Sequence, residues 1–198
     1  MNTSFAKAET LTGAVLAPLD FVRSFALVVG FSLLTALAAQ VTIPLPWTPV
    51  PITGQTFAVL LTGALLGSRL GALAMLAYLI EGASGLPFFA AGGSGVGRLL
   101  FSPTSGYLLS YPVAAFVVGL LAERGWDRRF LTAAAAMALG SLVILLAGWA
   151  WLSRFVSPAA AFGAGVAPFF VGDLIKIALA AAVLPSGWAI LRKTSRGS

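Results

Sequence analysis

Residues 21–41 read FVRSFALVVGFSLLTALAAQV, an apolar run with a single charged side chain, Arg23, near its start. An α-helix needs about 20 consecutive apolar residues to cross the hydrocarbon core of a bilayer. This stretch therefore predicts a membrane-spanning helix.

The composition supports an integral membrane protein. Of the 198 residues, 59% are hydrophobic and 9% are charged, whereas a soluble domain carries about 25% charged residues. The chain contains no cysteine and no histidine, which excludes disulfides, thiolate or imidazole metal sites and any mechanism that uses a Cys or His base. We expect neither a metal nor a cofactor.

Apolar segments recur along the whole chain, and we expect an all-α integral membrane protein with six transmembrane helices in a single membrane domain, residues 1–198. The approximate helices are 21–41, 54–67, 69–80, 105–121, 130–151 and 167–191. The second and third are short and joined by a tight turn, which predicts a hairpin covered by neighbouring helices, because exposed backbone is costly in lipid.

The distribution of basic residues predicts the orientation. Cytoplasmic loops of membrane proteins carry an excess of Lys and Arg. If the N-terminus is cytoplasmic, the outer flanks hold only Arg98 and Arg154. The cytoplasmic flanks then hold Lys7, Arg23, Arg69, Arg124, Arg128, Arg129, Arg192, Lys193 and Arg196. We therefore expect both termini in the cytoplasm and a long Gly-rich outer loop between helices 3 and 4. The scattered positive charge indicates membrane topology and no nucleic-acid partner.

The Gly-rich stretch GGSGVGRL, residues 92–99, admits three interpretations. A nucleotide-binding loop would need Lys and then Ser or Thr where Arg98 and Leu99 stand, and it would face the wrong side of the membrane. A hydrolase would need a base for Ser94, and Lys176 is the only intramembrane candidate. The third interpretation is a lid, in which the N–H groups of Gly92, Gly93 and Ser94 are presented to a ligand.

The motif GDLIK provides a second polar site. Asp173 and Lys176 are three residues apart and share one helix face. Each costs about 2.5–3.5 kcal/mol at the centre of a membrane helix, a cost that falls if the two pair or face a wet cavity. They form either a structural ion pair or the polar wall of a ligand pocket, and their clustering with other outer polar residues favours the pocket.

Weaker signals add residues at the same outer level. Gln55 begins the second segment, Tyr78 lies on the third, and Trp47 and Phe89 could line an apolar pocket. Small residues four apart on the first segment, Ala26, Gly30, Ser32 and Ala36, allow another helix to approach closely.

Residues 50–107 with the later VGDLIK resemble the BioY family, in the motifs VPIT-QTF, GLP-F--GG-G, PT-GY and GD-IK. These proteins are biotin-specific S components of energy-coupling factor (ECF) transporters. The resemblance implies a non-catalytic subunit of the plasma membrane that binds biotin under an outer loop. It also implies docking onto a transmembrane coupling subunit with two ABC-type ATPases, through the small residues of the first helix.

The chemistry of biotin suits the candidate residues. Its ureido ring has two N–H donors and one carbonyl acceptor, and its side chain ends in a carboxylate. Asp173 could accept a ureido N–H, Lys176 or Gln55 could donate to an oxygen, and Arg98 or the glycine N–H groups could close over the remaining polar end. The alternatives are an S component for another vitamin and a stand-alone ion-coupled carrier that uses Asp173.

Overall fold

The computed structural model describes residues 10–16 and 18–194, which are predominantly helical. The α-helices of this part are α1 (Leu11–Leu16), α2 (Phe21–Gln40), α3 (Gln55–Leu66), α4 (Ser68–Ala83), α5 (Val96–Phe101), α6 (Ser105–Glu123), α7 (Phe130–Leu152), α8 (Pro158–Gly165) and α9 (Phe170–Thr194). Two short antiparallel strands, β1 (Thr42–Ile43) and β2 (Ile52–Thr53), close the loop between α2 and α3.

Four helical stretches of the described chain are long and apolar enough to cross a membrane. They are Phe21–Gln40, Ser105–Glu123, Phe130–Leu152 and Pro158–Lys193. The helix α3 is also apolar, but its 12 residues reach only about 18 Å at 1.5 Å per residue. The last stretch is subdivided, because a 3₁₀ turn at Ala167–Phe169 separates α8 from α9. The final long helix therefore begins at Phe170 and not at 167.

Local sequence explains where these helices begin and end. The side chain of Asp20 accepts a hydrogen bond from the backbone N–H of Arg23 at 2.8 Å and caps α2. The prolines that follow α2, at positions 44, 46 and 49, lack the N–H that a continuing helix needs. Ser157 caps α8, and Pro158 occupies its first turn, where no N–H partner is required.

The helix α6 lies at the centre of the bundle and packs against α3, α4 and α7. Glycines make these contacts close. A Cβ on Gly119 would lie 2.3 Å from the carbonyl carbon of Gly67, and one on Gly63 would lie 2.4 Å from the carbonyl oxygen of Ala115. Small residues let helix backbones meet at distances that larger side chains prevent.

The turn between α3 and α4 is held by the end of α6. Gly67 adopts a φ of 85°, which glycine tolerates without a steric penalty. The carboxylate of Glu123 accepts hydrogen bonds from the backbone N–H of Ser68 at 2.6 Å and from its hydroxyl at 2.9 Å. Glu123 therefore accepts a hydrogen bond from an N–H at the start of α4 that has no partner within the helix. Its negative charge also lies near the positive, N-terminal end of the helix dipole, which is stabilising.

At the same end of the bundle, the turn between α6 and α7 contacts α9. The indole N–H of Trp188 donates to Asp127 at 2.5 Å, and the guanidinium of Arg128 lies 4.7 Å from the centre of the Trp188 ring. Burial raises the pKa of Asp127, although the hydrogen bond from Trp188 and the charge of Arg128 oppose this shift. These contacts fix the C-terminal half of α9 against the bundle.

Replacing Gly119 with alanine tests the close packing of α6. We expect Gly119→Ala to cost about 1–3 kcal/mol, because the new methyl group meets backbone atoms that cannot move independently. The measurement is the melting temperature of the purified protein in detergent. Gly30→Ala is the matched control, since a Cβ at Gly30 meets nothing within 4 Å. Equal melting temperatures for the two variants would contradict the packing argument.

Candidate ligand-binding site

A cavity that opens to solvent lies where α3 and α9 begin. Its walls come from the β2 region, the loop after α4, and helices α3, α5, α6, α7 and α9. The lining residues are Val50, Pro51, Thr53, Gln55, Thr56, Phe89, Ala90, Arg98, Thr104, Tyr107, Leu108, Tyr111, Ile144, Leu145, Phe169, Asp173 and Lys176.

The charged wall of the cavity is built by three helices. The ammonium of Lys176 lies 3.6 Å from a carboxylate oxygen of Asp173 and donates to the hydroxyl of Thr56 at 2.7 Å. The other carboxylate oxygen of Asp173 accepts a hydrogen bond from Ser141 of α7. Both charged side chains are largely buried, 17% exposed for Lys176 and 11% for Asp173. Their hydrogen bonds and mutual attraction offset the cost of this burial.

Gln55 is the centre of a second polar group. Its side-chain oxygen accepts from the hydroxyl of Thr53 at 3.1 Å and from that of Tyr111 at 3.4 Å. Its side-chain nitrogen donates to the hydroxyl of Tyr78, which in turn donates to the carbonyl of Phe88 at 3.0 Å. Among the described residues, these bonds leave one N–H of the amide for a ligand. Gln55 can therefore act toward a ligand as a donor.

The aromatic wall comes mainly from α6. Tyr107 and Tyr111 are four residues apart and lie on one helix face. The hydroxyl of Tyr107 donates to the carbonyl of Gly165 at 2.7 Å, and its ring packs so closely on α7 that a Cβ at Gly148 would lie 2.1 Å from it. Tyr107, Tyr111 and Ser141 were not anticipated from the sequence, although the spacing in SGYLLSY carries the signal for the two tyrosines.

The loop after α4, residues 84–95, covers one side of the cavity. Phe89 is 1% exposed and packs edge-on against Tyr78, with ring centres 5.8 Å apart. Phe89 and Arg98 line the cavity. Gly92, Gly93 and Ser94 lie outside its lining. The N–H of Gly92 donates to Gln40, and Gly93 pairs with Phe89, so these two glycines shape the loop.

Two further residues expected in the pocket lie elsewhere. Trp47 is 67% exposed and lines a separate depression with residues of α8. Tyr78 is completely buried. Its hydroxyl accepts a hydrogen bond from the side-chain nitrogen of Gln55, so Tyr78 positions a residue of the cavity without lining the cavity itself. Neither residue lines the cavity.

The small residues of α2 also separate into two groups. Ala26 and Gly30 are exposed, and the space around Gly30 is open. Ser32 and Ala36 are buried, 0% and 5% exposed, on the side of α2 that faces the bundle. Ser32 and Ala36 are therefore unavailable to a partner in this structure, and the expected docking surface narrows to Ala26 and Gly30.

Comparison with known proteins reveals a consistent family relationship. The sequence model of the BioY family matches residues 4–193. A probable biotin transporter BioY from Pyrococcus horikoshii is 43% identical over 158 residues, covering 80% of this chain and 91% of that protein. The biotin transporter BioY from Thermotoga maritima is 38% identical over 153 residues, covering 77% of this chain and 88% of that protein.

The fold also matches a solved structure. The crystal structure at 2.1 Å of the S-component for biotin from an ECF-type ABC transporter superposes with a TM-score of 0.76. The alignment covers 87% of this chain and 92% of that chain, at 23% sequence identity. The two proteins therefore share a fold.

A double-mutant cycle tests the buried ion pair. We expect Asp173→Asn or Lys176→Met alone to lower the melting temperature of the ligand-free protein by about 6–20 °C, because either change disrupts the pairing that offsets burial. The double variant should lose less than the sum of the two. Lys193→Met is the control, since Lys193 is exposed at the end of α9. Strictly additive losses would show that the two side chains do not stabilise each other.

Proposed function

We propose that this chain, which belongs to the BioY family, is a high-affinity biotin-binding membrane subunit, the S component of an ECF-type vitamin uptake transporter. BioY is a family of transporters, not of enzymes. Relatives that the chain covers almost completely are named biotin transporters. The observation that carries the proposal is the cavity in which Asp173, Lys176 and Gln55 converge among aromatic side chains.

The donors and acceptors of the cavity suit the ureido ring of biotin. The Asp173 oxygen that faces Lys176 accepts a ureido N–H, while Lys176 or the remaining N–H of Gln55 donates to the ureido oxygen. Tyr107, Tyr111 and the other apolar lining bury the fused rings, as in most small-molecule sites.

The carboxylate end of biotin needs a cation that can approach from the cavity rim. Arg98 stands on the short helix α5 and lines the cavity while the residue as a whole remains exposed. A guanidinium at a solvent-accessible rim pairs with a carboxylate without the full cost of desolvation. We assign Arg98 this role, and the N–H groups of Gly92 and Gly93 shape the loop beside it.

The same proposal includes the orientation of the chain. Six helices, α2, α3, α4, α6, α7 and α9, cross the plasma membrane with both termini in the cytoplasm, in accord with the distribution of Lys and Arg. The short α3 and α4 are covered by α6, which makes their limited length acceptable in lipid. The cavity and the loop over it then face outward, where biotin is captured.

Transport against a gradient requires partners in this proposal. The Gly-rich sequence lacks the Lys and Ser or Thr of a phosphate-binding loop. We propose that a transmembrane coupling subunit carrying two ABC-type ATPases supplies the energy from ATP. The exposed small residues Ala26 and Gly30 of α2 form the surface on which that subunit packs.

Calorimetric titration of biotin into the purified protein tests the ligand. We expect nanomolar affinity without any ion gradient, weakened by about tenfold or more in Asp173→Asn and Lys176→Met, because each change removes a charge-assisted hydrogen bond. Trp47→Ala serves as the control and should bind as the wild type does, since Trp47 lies outside the cavity.

The outcomes separate the competing functions. Absence of biotin binding at micromolar concentration would contradict the biotin assignment and direct the same titration to other vitamins. Binding or uptake that disappears when the proton or sodium gradient is removed would indicate an ion-coupled carrier.

Co-purification tests the docking surface. We expect Gly30→Leu to reduce recovery of the coupling subunit while biotin binding stays unchanged, because the larger side chain keeps the partner helix at a distance. Gly163→Leu is the matched control, as Gly163 is an exposed glycine of α8 with open space around it. Wild-type recovery with Gly30→Leu would place the docking surface elsewhere on the chain.

A further inference from the structure

Gln40, the last residue of α2, holds two points of the loop that covers the cavity. Its side-chain nitrogen donates to the carbonyl of Pro87 at 3.2 Å, and its side-chain oxygen accepts from the N–H of Gly92 at 3.1 Å. The nitrogen also donates to the carbonyl of Ala36 at 3.0 Å, one turn back along α2. The amide is thus fixed to its own helix and to both ends of residues 87–92.

Residues 87–92, which Gln40 holds at both ends, include the part of the loop that lines the cavity. Phe89 and Ala90 lie between the two attachment points, and both line the cavity. The N–H of Phe89 donates to the carbonyl of Gly93 at 2.9 Å, and the N–H of Gly93 donates to Ala90 at 3.2 Å, which closes a tight turn. This turn is held on its inner side by the contacts of Tyr78 with Phe88 and Phe89, and on its outer side by Gln40.

The turn contains a strained residue beside the anchored N–H. Ala91 has a φ of 55° and a ψ of 38°, the left-handed conformation that residues with a Cβ disfavour. In the described part of the chain it is the only residue other than glycine with a positive φ. Such a conformation persists where surrounding contacts hold it. Gln40 provides one such contact, because its side chain accepts the N–H of Gly92, the residue that follows Ala91.

We propose that Gln40 is a positioning residue that keeps the loop 84–95 closed over the cavity and thereby slows release of the bound ligand. The inference rests on the proposed function, because the ligand used to test it is biotin. Gln40 does not line the cavity; its effect passes through Phe89 and Ala90. Loss of its two bonds to the loop favours the open loop and leaves Asp173, Lys176 and Gln55 in place.

The first measurement is the dissociation rate of radiolabelled biotin, chased with unlabelled biotin. Gln40→Met, of similar length without the amide, should release biotin about tenfold faster, the effect of losing hydrogen bonds of ordinary net strength. Association should change little. Gln40→Glu keeps the acceptor for Gly92 and loses the donor for Pro87, so its rate should be intermediate. Leu37→Ala, an exposed change on the same helix, should behave as the wild type.

The second measurement is hydrogen exchange of residues 88–95 in the ligand-free protein, which requires no biotin. Gln40→Met should exchange faster in this loop while the melting temperature stays unchanged. A wild-type exchange rate in Gln40→Met would overturn the anchoring role, and faster exchange with a wild-type biotin dissociation rate would overturn the role in retention. If the wild type itself failed to bind biotin, the proposed function would fall, while exchange would still decide whether Gln40 holds the loop.

Discussion

The close approach of α6 to α3 and α4 is the constraint on which the rest of the structure depends. Lipid tails are as apolar as the side chains of these helices, so the hydrophobic effect does not drive the helices together. They associate through close packing and hydrogen bonds instead. Gly63 and Gly119 allow backbones to meet without an intervening side chain. Because α6 also carries Tyr107 and Tyr111, its position determines where the aromatic wall of the cavity lies.

The polar residues of the cavity are stable because partners on several helices offset the free-energy cost of burying them. Asp173 belongs to α9, accepts a hydrogen bond from Ser141 of α7 and lies beside Lys176, which donates to Thr56 of α3. Each of these helices would expose a costly polar group to lipid if it stood alone. The arrangement therefore connects the binding site to the assembly of the bundle, and the same groups that satisfy one another can bind a ligand with both donors and acceptors.

The two loops beside the cavity are supported in different ways. The loop after α2 is closed by β1 and β2 and fixed to α8, where the hydroxyl of Thr48 donates to the carbonyl of Ala164 at 2.8 Å. The loop after α4 is held from the inside by the buried ring of Phe89 and the bond of Tyr78 to Phe88. The exposed amide of Gln40 holds it from the outside. Exposed hydrogen bonds such as those of Gln40 open at a lower free energy than the buried contacts of the helices, so the outer side of this loop is its less stable side.

The sequence by itself determined the membrane character, the long apolar helices and the polar pair Asp173 and Lys176, because these follow from local length, composition and spacing. It also indicated Gln55, Phe89 and Arg98 as pocket residues, which line the cavity. Only the tertiary structure decided the direction in which each side chain points. It removed Trp47 and Tyr78 from the lining, buried Ser32 and Ala36, and added Tyr107, Tyr111 and Ser141 to the site. The physical reason is that these helices are apolar on nearly every face, so periodicity does not reveal the buried side. That side depends on which neighbour packs against it.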